Sequence, residues 1–439
     1  ALCYSGNYKL RIDTHDDEYH RFFAGINEEN SAYSLKKDEI FRTPELALTY
    51  SNEGLSGSSR NFHRWARLHK LAHGTVPRKI LLNSWEGVYF DVNQAGMDQM
   101  MSDIASMGGE LFVMDDGWFG DKYPRKNDSS SLGDWVVDKN KLPNGIEGLL
   151  KDAQKNGVKF GIWIEPEMIS EDSDLYREHP DWALTIPGRN PVHARNQLVL
   201  DFSRKEVVDH IFDQICKVLD QGNIEYVKWD MNRSLMDVFS RGTKDQGRVM
   251  YDYVIGLYDF LERIVTRYPD LLIEGCSGGG GRFDAGMMYY TPQIWCSDNT
   301  DAINRLSIQY GSSFFYPIST VGSHVSVCPN HQTGRVTPFR TRGDVALAGS
   351  FGYEMDLNKI SEEEKEMVKE QVAAMHEYYE LTHEGLYYRL TGLKKQDFMA
   401  WEFVAKDQSR ALLTIVKTDA EGNMLPVHTK VCGLAEDKL

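Results

Sequence analysis

A (β/α)8 TIM barrel with flanking partial β-sandwich domains is the fold this sequence predicts, and three observations carry it. From about residue 79, apolar and β-branched runs recur: "KILLNSW", "ELFVMDD", "KFGIWIE", "QLVLDFS", "EYVKWD", "LLIEGCS", "QIWCSD", "SSFFYPIS" and "DVALAGS". Amphipathic stretches such as "AGMDQMMSDIASMG" and "RKEVVDHIFDQICKVLDQG" lie between most of them, with apolar residues at helical spacing. Continuously apolar strands alternating with helices indicate a parallel sheet covered by helices. The span of roughly 280 residues suits eight such repeats. Nine runs compete for eight places, so one is spare.

The flanks read differently. "NYKLRID", "YHRFFAGI" and "ELALTYS" alternate as short strands, and "SNEGLSGSSRNFHRWARLHK" leaves them as a Gly/Ser loop. A β-domain is entered midway. Residues 361 to 383 open on Ser361 followed by acids, the signature of a capped helix. After it, "FMAWEFVAKD", "RALLTIVKTD" and "TKVCGL" read as hairpin strands.

Composition narrows the function. A net charge of −16 argues against a nucleic-acid partner. No run approaches the ~20 apolar residues of a membrane span. "ALCYSGNYKL" has no signal-peptide character, and six scattered cysteines without a CxxC pair read as reduced thiols, so a cytoplasmic protein is expected.

The strand ends carry the chemistry. Trp85-Glu86, Asp115-Asp116, Glu165-Pro166-Glu167, Lys228-Trp229-Asp230, Glu274-Gly275-Cys276 and Ser297-Asp298 each close a predicted strand. In this barrel class the C-terminal strand ends build the active site. Any one acid alone reads as a cap or a loop ion pair; six convergent ends favour a site. Two acids in an aromatic-lined pocket suit glycoside hydrolysis, and Trp85, Trp118, Trp163 and Trp229 sit at or near these ends. No phosphate-binding loop and no His-Glu-x-x-His zinc motif is present. His324, Cys328 and His331 have loose metal-like spacing, but no fourth ligand is apparent, and the segment reads as structural.

"LLNSWE", "FVMDDGWFG", "GIWIEPEMIS", "YVKWDMNR", "EGCSGGGGRFD", "WCSDNTDA" and "HVSVCPNHQTGR" resemble, in order, the signature blocks of the family 36 glycoside hydrolases, as does "FRTPELALTYSNEG" before the barrel. That family is mostly retaining α-galactosidases with a large N-terminal β-sandwich, a catalytic barrel and a C-terminal β-domain. The resemblance implies the end of the sandwich and a linker over 1–75, the barrel over 76–384 and the start of the C-terminal domain over 385–439. It implies a chain truncated at both ends.

Residue by residue, the resemblance places the nucleophile at Asp230 and the general acid/base at Asp298. Strand periodicity puts Lys228, Asp230 and Asn232 on one face with Trp229 turned away, so Lys228 can keep Asp230 ionised. Asp301 is the rival acid and is read as a helix cap. Asp115 and Asp116 resemble the pair that binds galactose hydroxyls, and Arg195 a sugar-contacting arginine. Cys276, Gly278 and Gly279 resemble a loop that approaches the 2-position, and Trp85 and Trp163 resemble stacking and wall residues.

The expected activity is retaining hydrolysis of terminal α-1,6-galactose from raffinose-type oligosaccharides, without metal or cofactor. The alternatives are an α-N-acetylgalactosaminidase or a galactosyl-transferring enzyme on the same fold. A rival of another class is an inactive sugar-binding fragment. The partner is an α-galactoside oligosaccharide rather than nucleic acid or membrane, and a homo-oligomer (dimer or tetramer) is expected at full length.

Overall fold

A computed structural model describes residues 1–14, 19–392, 397–418 and 426–435. Eight strands form one parallel sheet: β1 (Leu81–Asn83), β2 (Leu111–Met114), β3 (Lys159–Ile164), β4 (Tyr226–Trp229), β5 (Leu272–Gly275), β6 (Gln293–Ile294), β7 (Gly322–Ser326) and β8 (Ser350–Glu354). Their order is β6-β5-β4-β3-β2-β1-β8-β7, and a parallel bridge from Ile294 to Val321 joins the two ends into a closed barrel. A helix follows each strand on the outside; Gln94–Ser106, Lys205–Leu219 and Val249–Arg267 are the apolar-faced examples.

Strand parity decides which side chains reach the site. Phe112, Phe160, Ile162, Val227 and Ile273 point outward into the sheet–helix core. Leu81, Leu111, Val113 and Tyr226 fill the barrel interior. The register pairs Gly161 with Tyr226. A Cβ on Gly161 would meet the Tyr226 Cβ at 2.9 Å, so a glycine is what lets this tyrosine lie in the interior layer. The same inward parity, continued upward, delivers Lys228 and Asp230 to the C-terminal mouth.

Several sequence expectations need correction. "QLVLDFS" is the spare run: Leu198–Val199 pairs antiparallel with Met168–Ile169 in the excursion after β3. "SSFFYPIS" and "DVALAGS" are not strands. The first runs from the end of helix Ala302–Ser312 into the 3-10 turn Ile318–Thr320, and the second covers the end of helix Phe339–Ala346 and the turn after it, reaching β8 only at Ser350. The true strands, β7 just after the first run and β8 from the last residue of the second, are buried at every position despite Gly, Ser and His.

The supposed loop before the barrel is a helix, Gly54–Trp65, continued by the π-helical turn Ala66–Lys70. Its small residues Gly57 and Ser59 are buried, which is packing rather than looseness. Strands Tyr8–Thr14 and His20–Ile26 form the expected hairpin, while "ELALTYS" contributes only a bridge at Leu46. Leu386–Arg389, Phe398–Val404 and Ala411–Lys417 make an antiparallel sheet; "TKVCGL" is not part of it. Helix Glu362–Glu384 is capped at Ser361 as expected, and the cap is a full capping box with Glu364. Among the described residues no helix is long and apolar enough to cross a membrane.

Candidate active site

The C-terminal strand ends surround a cavity of about 200 Å³. Trp85, Asp115, Asp116, Trp163, Arg195, Lys228, Asp230, Asn232, Cys276 and Asp298, all singled out from the sequence, line it. Gly278 and Gly279, also singled out, do not line it; they lie against Asn232 and Asp298 respectively.

Asp230 follows β4 and is 6% exposed. Its Oδ1 accepts from the backbone N–H groups of Met231 (2.8 Å), Ser277 (3.0 Å) and Gly278 (3.1 Å). Its Oδ2 accepts from Asn232 Nδ2 (2.7 Å) and Trp163 Nε1 (3.2 Å). Burial alone would raise its pKa, but the Lys228 charge and these donors outweigh it, and the carboxyl sits below its usual value. Ser277 to Gly280 all have positive φ, which turns successive N–H groups toward one point. At Gly279 a Cβ would stand 2.4 Å from the Asp298 nitrogen, so glycine is needed for the two acidic loops to touch.

Asp298 follows β6 and accepts from Trp295 Nε1 at 3.0 Å. Burial first, then the nearby Asp230 charge, raises its pKa. Asp301 is a cap, as read from the sequence. It is the N-cap of Ala302–Ser312, accepts from Ile303 and Asn304 N–H, and pairs with Arg335.

Asp115 accepts from Lys228 Nζ and from Asn83 Nδ2, each at 2.8 Å. Lys228 therefore pairs directly with Asp115 and acts on Asp230 only through its field. Asp116 takes a buried two-point contact from Arg125, Nε at 3.0 Å and Nη2 at 2.8 Å. Arg195 Nη1 donates to Asn232 Oδ1 at 2.7 Å, so the arginine steadies the amide that holds Asp230.

Two of the four tryptophans named from the sequence do not reach the cavity. Trp118 is fully buried and donates to the Trp163 carbonyl at 2.9 Å, backing that ring. Trp229 points outward and donates to Glu167 Oε1 at 2.9 Å. Glu167 also takes a two-point contact from Arg282 (2.8 and 2.6 Å), which fastens the glycine loop to the end of β3.

Sequence reasoning passed over Trp295, Glu354, His331, Gln332 and Arg125. Trp295 could have been found, since it lies three residues before Asp298 at the inward parity. Glu354 was hidden by the misplaced β8. His331 and Gln332 correct the reading of their segment as purely structural: His331 lies 3.3 Å from Glu86 Oε1, and Gln332 Nε2 donates to the Asp298 carbonyl at 2.9 Å. No metal-binding cluster exists among the described residues. Glu86 was named as a strand end without a role. Burial and the charge of Glu354 push Glu86 up to about 8. Glu354, despite burial, is held ionised by His324 and Lys228.

A family model described as melibiase matches residues 40–385. The bifunctional alpha-galactosidase/sucrose kinase AgaSK of Mediterraneibacter gnavus is 53% identical over 99% of this chain and 46% of that protein. Alpha-galactosidase Mel36A of Lactobacillus acidophilus is 47% identical over 100% of this chain and 60% of its own. The crystal structure of the GH36 alpha-galactosidase AgaA of Geobacillus stearothermophilus superposes with a TM-score of 0.97 at 45% identity, covering 100% of this chain and 61% of that one. This chain thus spans between 46% and 60% of the length of these two curated relatives. With most of its length matched, the chain belongs to the melibiase family.

Proposed function

We propose that this chain carries the catalytic barrel of a retaining α-galactosidase acting on terminal α-1,6-linked galactose of raffinose-type sugars. One observation carries the reading: two carboxyls on neighbouring loops face one small cavity with opposite protonation tendencies, Asp230 lowered and Asp298 raised. That is the division of labour that double displacement at an anomeric carbon requires. Variants of AgaA have been crystallised with raffinose and with stachyose, which supports the same substrate class here.

In this reading Asp230 attacks the anomeric carbon while Asp298 gives its proton to the departing glycosidic oxygen. A covalent galactosyl ester forms on Asp230 and the aglycone leaves as an alcohol. Asp298, now a carboxylate, takes a proton from water, whose oxygen displaces Asp230 and restores both acids. The carboxyls are expected about 5–5.5 Å apart, the spacing of retaining enzymes. Asp115, Asp116, Lys228 and Arg195 supply hydroxyl partners, and Trp85 and Trp163 the apolar walls. We assign the barrel to residues 76–384, with 1–75 and 385–439 as parts of the flanking β-domains. Six free thiols support the expectation of a reducing compartment.

The deciding experiment is turnover of nitrophenyl α-galactoside by the intact protein and by Asp230→Asn, with the product anomer followed by NMR. The expected result is release of α-galactose by the parent and loss of at least about a thousand-fold in the variant, partly restored by azide. First release of β-galactose, or a variant that keeps the parent rate, would overturn the reading.

A further inference from the structure

The barrel's other end holds a larger cavity, of about 510 Å³. It lies where the chain enters β1, enclosed by Gly54–Trp65 and the turn after it, the end of helix Glu362–Glu384 and the antiparallel sheet. Its charge is the reverse of the molecule's. In a chain of net charge −16, five cations line it (Arg60, Arg64, Arg67, Arg78 and Lys406) against one carboxylate, Glu384.

The available acids are already engaged. Glu384 pairs with Lys406 at 2.6 Å, and Glu53 pairs with Arg60 at 2.6 Å. Among the described residues, Arg64, Arg67 and Arg78 have no ion-pair partner. Arg78 is 8% exposed. Its Nη1 donates to the carbonyls of His73 (3.2 Å) and Val76 (2.9 Å), while its Nε has no partner. Arg60 Nη1 and His383 Nε2, on the same cavity, are likewise buried and unpartnered. A buried guanidinium without a counter-charge is costly, and orphaned donors add to that cost. Burial accordingly lowers the pKa of Arg67 and Arg78. An oxyanion in the cavity would give Arg64, Arg67 and Arg78 the counter-charge they lack.

We propose that this cavity binds a small molecule carrying a phosphate group. Phosphate brings more charge and more acceptor oxygens than a carboxylate, which suits several guanidinium groups whose only partners are neutral carbonyls or none. Leu68 and Val76, 55% and 49% exposed, give the walls an apolar part, so the phosphate is attached to an organic body. The volume falls within the range of small-molecule sites, roughly 300–1,000 Å³.

The test is calorimetric titration of the intact protein with inorganic phosphate and with phenyl phosphate at matched ionic strength in chloride. Saturable binding is expected, tighter for phenyl phosphate and unaffected by saturating galactose. Arg64→Ala and Arg67→Ala together should weaken it by about ten-fold or more, with α-galactoside turnover in the absence of phosphate unchanged. Arg64 is exposed, so Arg64→Ala alone, with a smaller loss, decides the matter if the double variant does not fold. The proposal is overturned if chloride reproduces the effect, if galactose displaces the ligand, or if affinity survives the variants. Absence of binding overturns it too, as when another part of a longer chain fills the cavity.

Discussion

The Lys228 ammonium donates to Asp115 Oδ2 at 2.8 Å, tying the end of β4 to the end of β2 above the intervening β3. Both side chains are buried, and the same ammonium's field offsets the burial of Asp230. One cation therefore serves two acids. Lys228→Met should strand both. Removing one partner of a buried pair typically costs about 3–5 kcal/mol, so a marked fall in melting temperature is expected. The Asp230 pKa should rise, moving the acid limb of the kcat/KM profile to higher pH. An unmoved acid limb would show that Lys228 does not keep Asp230 ionised.

Asp298→Ala should discriminate between leaving groups. A nitrophenolate departs with little protonation, whereas the sugar alcohol of raffinose needs the proton. The glycosylation step should suffer far more on raffinose. The pH profile gives a second readout. Burial and Asp230 raise the Asp298 pKa, so the protonated form, and the activity, should fall as pH climbs through that raised value. In the variant, the alkaline limb of this step on the aryl substrate should vanish. Equal losses on both substrates would remove Asp298 from the acid role.

The residues that meet at the candidate site were legible because charged motifs fall at strand ends, where parity fixes their direction. "YVKWDMNR" shows this: its alternation sends Lys228 and Asp230 inward and Trp229 outward, as found. Partners contributed from distant loops were not legible. Arg125 lies nine residues past Asp116 in an irregular segment with no periodicity to aim it. The last two strands were misplaced for a related reason. β7, "GSHVS", and β8, "SFGYE", are rich in small and polar residues because they line the interior, so their hydropathy is low although every position is buried. The more apolar runs before each of them belong to helices and turns.

Asp116 is a test of substrate choice that the structure makes more demanding. Both its oxygens receive Arg125, leaving only their remaining lone pairs for a sugar hydroxyl. A sugar that fails to satisfy this charged acceptor loses on the order of 2–4 kcal/mol, a preference of about thirty- to a thousand-fold for galactose over glucose. Asp116→Asn should narrow the ratio of efficiencies on the two nitrophenyl glycosides. It should also destabilise the fold, because Arg125 is 1% exposed and would lose its counter-charge. Arg125→Met with Asp116→Asn should recover part of the stability but not the selectivity. A single variant with unchanged melting temperature and ratio would make Asp116 a passive loop acid.

Glu165 gives a prediction that depends on no substrate. It is fully buried at the end of β3, where its Oε1 accepts from Gln197 Nε2 at 2.7 Å and from the Asn232 N–H, while its Oε2 has no partner. Burial, then the Asp230 charge, pushes it up to about 8. It thus stays protonated in the fold at neutral pH, whereas in the unfolded chain it ionises near the usual 4.5. Between those values the folded state holds the extra proton, so its contribution to stability must fall as pH rises. Glu165→Gln keeps the shape and removes the titration. Relative to the parent, the variant should gain melting temperature steadily from pH 5 to pH 8, whatever its offset at pH 5. Thermal unfolding of both proteins across that range measures the gain directly. A constant difference between the two curves would mean that Glu165 is ionised in the fold, with Arg125 rather than its own proton balancing the charge.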